Sequence, residues 1–278
     1  AAIKQRLLDE PRYLDVERAR YTTEAYRATE GQPMALRRAQ MLLHLVRHQS
    51  ITIQPGELIV GNRSLLPRMG IIAPEGAVAW IDKELDILPT RPQDRFNTTP
   101  EVIRELREEI FPYWRGRTLE ETVAQRVPDD VRVAVKGRAF SLNQTDHAQG
   151  HILPDVEAWL RLGIGGLRAQ VLAARSQPQV QDAAHQLFYD AALIALQAAQ
   201  EFVLRYADLA TKLARDHSDP VRVQELERIA ANCRRLAEHP ARDFHEALQA
   251  VWFLFALLQI ESNASSFSPG RFDQYMLP

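Results

Sequence analysis

The amino-acid sequence predicts a mainly α-helical fold with a few short strands, and three observations support this fold class. Apolar residues recur at helical spacing over long stretches, of which the longest cover residues 180–217 and 220–239. The alternation typical of strands is confined to short runs such as residues 51–53. The 278 residues are 46% hydrophobic and 25% charged, an ordinary globular composition with material for a sizeable core.

The elements follow in order along the chain. A helical segment that includes Leu14 and Tyr26 ends at Gly31, and the next helix begins at Pro33, a residue suited to a first helical turn. Residues 57–61, ELIVG, predict a short buried strand because a turn precedes this apolar run. Helical patterning returns at 76–88 and 100–110, the segment 140–166 is the least regular, and the two long helices follow.

The last predicted helix covers residues 240–260 and is apolar on nearly all sides, as the run AVWFLFALLQI shows. Such a helix needs neighbours all round it. We therefore expect the preceding helices, or sequence beyond residue 278, to cover it. The final residues, DQYMLP, include no polar tail, and we expect the chain to be the front of a longer polypeptide.

Charge and cysteine content exclude several classes of protein. The 34 Lys and Arg against 36 Asp and Glu leave a net charge of −2, so neither nucleic acid nor a membrane surface is a predicted partner. The longest apolar run, Ala250–Leu258, is short for a membrane span, and the charged start is no signal peptide. A single cysteine excludes an internal disulfide framework, and a cytoplasmic location fits best.

Few side chains fall into patterns that predict chemistry by themselves. Cys233 lies on the apolar stripe of its helix, which indicates packing and not nucleophilic catalysis. The pair His44 and His48 is interpreted as structural. A metal site is a less favoured alternative in the irregular segment, because Gly150 interrupts a helix there; its ligands would be Asp146, His147 and His151.

Two polar clusters stand directly beside apolar sequence, at residues 143–151 and 261–268. Buried polar groups are costly unless they are paired. Each cluster therefore predicts either a hydrogen-bond network or a ligand pocket, and the residues alone favour neither.

Six collinear segments make the sequence resemble the opening third of a glycyl radical enzyme. Within that family it resembles the pyruvate formate-lyase-like branch with the glycerol, diol and choline lyases, and most of all its formate acetyltransferase 2-like members. The segments are ERARYTTEAYRATEGQPMALRRAQ, ELIVGNR, PEGAVAWIDKELDILPTRPQDRF, FPYWRGRT, FSLNQTDHAQGHILPD and ARDFHEALQAVWFLFALLQIESNASSFSPGRFDQYMLP.

The resemblance implies that residues 1–278 are the amino-terminal part of a single pyruvate formate-lyase domain, a ten-stranded α/β barrel wrapped in helices and usually found in homodimers. In that family a glycyl radical near the carboxyl end oxidises a cysteine at the barrel centre, and the thiyl radical takes hydrogen from the substrate. A separate activating enzyme installs the radical with S-adenosylmethionine and an iron–sulfur cluster, and oxygen destroys it.

The chain lacks both the cysteine loop and the glycyl radical loop, since its one cysteine is in ANCRRL. We therefore expect no catalytic residue and no bound cofactor in this segment, and no activity from it alone. The resemblance implies instead that the segment binds substrate. His151, in the QGH motif, and Ser266, after the ESN motif, would each hold a substrate hydroxyl. Ser265 replaces a pocket histidine of the glycerol dehydratase, and Asn143 and Asp146 are expected neighbours.

The favoured hypothesis is the amino-terminal part of an anaerobic lyase or dehydratase for a small polar substrate such as a diol, or of a formate C-acetyltransferase-like enzyme. One alternative is a truncated, non-catalytic relative that serves as a binding or dimerisation partner, with exposed apolar surface around Trp252 and Phe255. The other alternative is the metal-binding helical protein.

Overall fold

A computed structural model of the protein describes residues 2–142, 152–262 and 266–276. In these ranges two strands occur, β1 (Tyr13–Asp15) and β2 (Met69–Ile71), together with short 3-10 helices at Leu88–Thr90 and Pro178–Val180 and a π-helix at Leu106–Ile110. The α-helices are α1 (Ala2–Asp9), α2 (Glu17–Ala28), α3 (Met34–His48), α4 (Ala79–Glu84), α5 (Pro100–Glu105), α6 (Phe111–Trp114), α7 (Leu119–Arg126), α8 (Asp129–Lys136), α9 (Val156–Arg175), α10 (Ala183–Asp216), α11 (Pro220–Leu236), α12 (Phe244–Glu261) and α13 (Phe272–Tyr275). The prediction of a mainly helical segment with few strands is confirmed.

The core is organised around α10, which packs against α3, α9 and α11. The helix begins where the Asp182 carboxylate accepts hydrogen bonds from the first free amides of the turn, and it then runs unbroken for 34 residues. Phe202 and Tyr206 on its buried face meet Phe253 of α12, with ring centroids 5.8 and 5.7 Å from that of Phe253. This aromatic cluster joins the long helices to α12, the helix that leads towards the second polar cluster.

Among the described residues, α10 is also the one helix long and apolar enough to cross a membrane. That property is a weak indication, because the core helix of a globular protein passes the same test of length and composition. The buried face of α10 is occupied by side chains of its neighbours.

The helix α9 bends at Gly163, whose φ of 64° and ψ of 177° lie outside the helical region. The bend occurs where the chain after α11 crosses closely: a Cβ on Gly163 would lie 2.6 Å from the His239 carbonyl carbon, and one on Gly165 would lie 2.4 Å from the Glu238 oxygen. The Gly165 amide donates to that same oxygen at 2.9 Å. Gly163 and Gly165 of the GIGG run therefore serve a backbone crossing.

The two strands form a small parallel sheet in which Tyr13 pairs with Met69 and Asp15 with Ile71. The sequence assigned Leu14 to a helical segment, whereas it lies in β1, and α2 starts only at Glu17. A strand of three residues is too short to show the alternation of apolar and polar residues by which strands are predicted.

The strand predicted at residues 57–61 is wrong, since this segment is irregular, with bends at residues 58 and 59. Side chains of the long helices satisfy its backbone instead. The Gln249 amide makes two bonds with Val60, accepting from its N–H at 2.8 Å and donating to its carbonyl at 2.6 Å. Trp252 Nε1 donates to the Gly61 carbonyl at 2.7 Å, and the Asn62 amide donates to the Tyr206 hydroxyl at 2.8 Å. Val60 and Gly61 are buried as expected, whereas Leu58 is 46% exposed, and the bonding partners of the run were not predicted.

The last predicted helix is present as α12, four residues shorter at its start because Asp243 caps it through the Glu246 amide at 2.9 Å. Trp252 is 49% exposed and Phe255 is half-buried, so the described residues do not surround the helix completely.

Candidate functional site

One β-bridge joins the residue that follows the first predicted polar cluster to a residue of the second cluster. Ile152, directly after the first cluster, pairs in parallel with Phe267 of the second. The Ile152 amide donates to the Ser266 carbonyl at 3.3 Å, and the Ser268 amide donates to the Ile152 carbonyl at 2.8 Å. Two segments that are remote in sequence therefore share one backbone pairing.

Ser266 is the one predicted substrate-binding residue that the structure describes, and it is half-buried beside Ile152. The other predicted residues, Asn143, Asp146, His151 and Ser265, lie outside the described residues, as does His147 of the metal alternative. Their assignment stays a prediction.

Both segments of the bridge are held by neighbouring local structure. After Ile152 the chain enters α9, which Asp155 caps by accepting a bond from the Ala158 amide at 2.9 Å. After Phe267 the chain turns at Gly270, where φ is +65°. A Cβ on Gly270 would lie 2.7 Å from Leu153 Cδ1, so the turn packs directly on the residue after Ile152.

Three arginines converge on the last turn of α12, just before the segment that carries Ser266. Arg18 donates from Nε to the Ile260 carbonyl at 2.9 Å and from Nη2 to the Glu261 carbonyl at 3.1 Å. Arg38 donates to the Glu261 carboxylate at 2.8 Å, and Arg63 donates to the Gln259 side chain at 3.0 Å. Positive charge is favourable there, because the carbonyl end of a helix carries partial negative charge.

The carboxylates near this turn complete its charge balance. Glu75 accepts two bonds from Arg18, at 2.6 and 3.1 Å, and Glu261 pairs with Arg38. Burial and the nearby charge of Arg18 lower the pKa of Arg63. In β1, burial raises the pKa of Asp15 to about 6.

The sequence did not single out Arg18 or Glu75, although both lie in segments that carry the family resemblance. One signal was available. Arg18 stands four residues before Thr22 and seven before Ala25 on the buried face of α2, where an arginine is unusual without a partner. The partner itself, Glu75, is remote in sequence and carries no such signal.

The surroundings of the remaining candidate residues indicate structural roles. Cys233 is buried, and burial raises the pKa of its thiol to about 12, so it remains protonated and unreactive at neutral pH. His44 Nε2 lies 2.9 Å from a carboxylate oxygen of Glu24, and its ring stacks on His48 with centroids 4.2 Å apart. Within the described ranges, no group of three or more His, Cys, Asp or Glu could hold a metal ion.

Comparison with known proteins places these features in a family. The chain is 34% identical to an isethionate sulfite-lyase of Nitratidesulfovibrio vulgaris over 95% of its length. It superposes on a glycerol-bound B12-independent glycerol dehydratase from Clostridium butyricum with a TM-score of 0.95, at 35% identity over 99% of the chain. It also superposes on a glycyl radical enzyme from Archaeoglobus fulgidus with a TM-score of 0.90, at 34% identity over 98% of the chain.

The chain spans about a third of the length of these relatives: 34% of the sulfite-lyase, and 35% of each of the two solved chains. The model of the pyruvate formate lyase-like family matches residues 1–278 without interruption. The resemblance to glycyl radical enzymes is thereby confirmed, and the chain belongs to the pyruvate formate lyase-like family.

Proposed function

We propose that the chain is the amino-terminal part of a glycyl radical dehydratase or lyase, and that it contributes His151 and Ser266 to a pocket for a small polar substrate. The relatives support this proposal, since they include a sulfite-lyase that is named for isethionate and a dehydratase solved with glycerol. Isethionate and glycerol are both small molecules that carry a hydroxyl group.

The observation that carries the proposal is the bridge between Ile152 and Phe267. Ile152 follows His151 in the chain, and Phe267 follows Ser266. A parallel pairing aligns two chain segments in the same direction. The pairing of these two segments supports a pocket to which both of them contribute.

The chemistry follows from these residue types. A serine hydroxyl and a neutral imidazole both donate and accept hydrogen bonds, so together they can hold two hydroxyl groups in one orientation. One C–H bond of the substrate would then face the attacking radical. A histidine that holds the departing hydroxyl could also give it a proton, which would assist loss of water.

The remaining parts of the enzyme belong to the proposal as well. The barrel of ten strands, the single domain, the homodimer, the thiyl cysteine and the glycyl radical are features that the family implies for the full-length protein. Activation by a radical S-adenosylmethionine enzyme, anaerobic operation and a cytoplasmic location are proposed on the same basis. Buried Cys233 is no candidate for the thiyl position.

The test is steady-state turnover of the full-length protein after anaerobic activation, first with glycerol, propane-1,2-diol and isethionate. With the substrate that is turned over, Ser266→Ala should raise KM by roughly tenfold, because it removes one hydrogen bond to the substrate. Ser176→Ala is the matched control, since Ser176 bonds the Leu172 carbonyl at the end of α9 and faces solvent.

The proposal fails if Ser266→Ala and Ser176→Ala give the same KM and kcat as the unchanged protein. It also fails if no radical signal and no turnover appear after activation, in which case the non-catalytic alternative takes its place.

A further inference from the structure

The last turn of α12 is fixed by a buried side chain from the other end of the chain. The final carbonyls of a helix have no partner within the helix. Arg18 supplies donors to two of them, at Ile260 and Glu261, while its own side chain is only 4% exposed. Ser266 lies five residues after Glu261 in the chain.

The Arg18 contacts leave its guanidinium little freedom. Its Nε, Nη1 and Nη2 atoms are all engaged, with two carbonyls on one side and both Glu75 oxygens on the other. A guanidinium is planar and presents its donors in a fixed fork. Losing Glu75 would leave a buried charge without its counterion, which is strongly unfavourable.

The anchor of Arg18 is itself tied to a third part of the chain. The Glu75 carbonyl accepts the Leu119 amide at 2.9 Å, where α7 begins. The fork of Arg18 therefore joins α2, the loop before α4 and the end of α12 into one arrangement.

We propose that Arg18, held by Glu75, is a positioning residue that fixes where the segment after α12 presents Ser266 to the substrate. This inference rests on the proposed role of Ser266 and deepens it. Arg18 acts through the backbone of Ile260 and Glu261, and none of its described contacts is with the predicted pocket residues.

The first test is hydrogen–deuterium exchange in Arg18→Gln, followed by mass spectrometry. The amides of Ile152 and Ser268 report on the bridge, and we expect both to exchange roughly tenfold faster because the segment is released. Arg205→Gln is the matched control. Arg205 donates to the carbonyls of Val46 and Gln49 at the end of α3, so its loss should change exchange there and leave the bridge unchanged.

The second test is kinetic and uses the activated full-length protein. Arg18→Gln should raise KM by about fivefold with a smaller change in kcat. The double variant Arg18→Gln, Ser266→Ala should match Ser266→Ala alone, because a residue that acts through Ser266 has no effect once the hydroxyl is gone. A merely structural role would give additive effects and faster exchange throughout the chain.

If Arg18→Gln does not fold, Arg18→Lys replaces it, because Lys keeps the charge opposite Glu75 and loses the planar fork of donors; a smaller but equally local increase in exchange is then the expected result. Unchanged exchange at the bridge, or additive kinetics, overturns the role of Arg18 while the role of Ser266 stands. An unchanged KM in Ser266→Ala overturns the role of Ser266 itself and the inference with it, whatever the exchange data show.

Discussion

Two buried carboxylates have pKa values that are shifted in opposite directions. Asp15 is 5% exposed, and burial raises its pKa to about 6 even though it accepts the Glu17 amide at 2.7 Å. Burial would also raise the pKa of Glu246, but hydrogen bonds from the Arg242 side chain and amide hold it below its usual range. Desolvation therefore prevails at Asp15, which accepts one amide, whereas at Glu246 the bonds and charge of Arg242 together outweigh it.

Replacing Asp15 with Asn should stabilise the protein at neutral pH. The folded state holds the Asp15 proton up to about pH 6, whereas the unfolded chain releases it near the ordinary value of 3.8. Stability therefore falls as pH rises between these values, and above them the ionised carboxylate costs about 2–3 kcal/mol. Asn keeps an oxygen for the Glu17 amide. Urea unfolding at pH 7.5 should show a gain of about 2 kcal/mol that disappears near pH 4.

Glu246→Gln is the contrasting variant. Its folded-state pKa is lowered, so the carboxylate stabilises the protein above the unfolded value and this contribution is lost as pH falls. The Gln variant should be less stable at pH 7.5 and should approach the unchanged protein in acid.

For Asp15→Asn, the contradicting result is a stability profile over pH that equals that of the unchanged protein. Such a result would show that Asp15 is not desolvated in the folded state.

At the scale of elements, the close crossing of α9 and the chain after α11 predicts that one methyl group added at Gly165 destabilises the protein. Gly165→Ala would place a Cβ 2.4 Å from the Glu238 oxygen, which also accepts the Gly165 amide. Overpacking of this kind costs about 1–3 kcal/mol, more than alanine gains in helix propensity.

Gly166→Ala is the control on the same helix, since its Cβ would meet only the Leu162 side chain, at 3.1 Å. In Gly165→Ala, a loss of about 1–3 kcal/mol should lower the midpoint of thermal unfolding by several degrees. In Gly166→Ala the midpoint should change little. Equal midpoints for the two variants would mean that the crossing can relax.

Elements that carry their own pattern were predictable, and those that depend on remote partners were not. The helices α10 and α11 were found within a few residues because their periodicity persists over several turns and Asp182 and Asp219 cap them. The run at 57–61 looked like a strand because it is apolar, while its bonds to Gln249 are invisible in sequence. Likewise, both polar clusters could be named, but the bridge between Ile152 and Phe267 could not be predicted.

At the scale of the molecule, an apolar groove of about 470 Å³ lies between α3, α10 and α12, beside Leu42, Ala195 and Leu258. Phe188 at its edge is 64% exposed. The relatives are about three times as long as this chain, so a protein of their length has further sequence with which to cover such a surface.

The chain of residues 1–278 should therefore bind a hydrophobic fluorescent dye, and Phe188→Ser should weaken the signal at least about twofold. Val133→Ser is the control, because Val133 is 71% exposed on α8 and does not line the groove. A titration that gives equal signals for the two variants would place dye binding elsewhere. The full-length protein should bind less dye per chain than residues 1–278.

The contact between Arg18 and Ile260 has a consequence for how the protein reaches its fold. These residues are 242 positions apart, so the contact must close a loop of nearly the whole chain. Closing such a loop costs chain entropy before any bond compensates for it, which makes remote contacts late events in folding. During synthesis, α2 and α3 can pair long before α12 leaves the ribosome. The surroundings of Ser266 would then be the last part of this segment to mature, on a scaffold that is already folded.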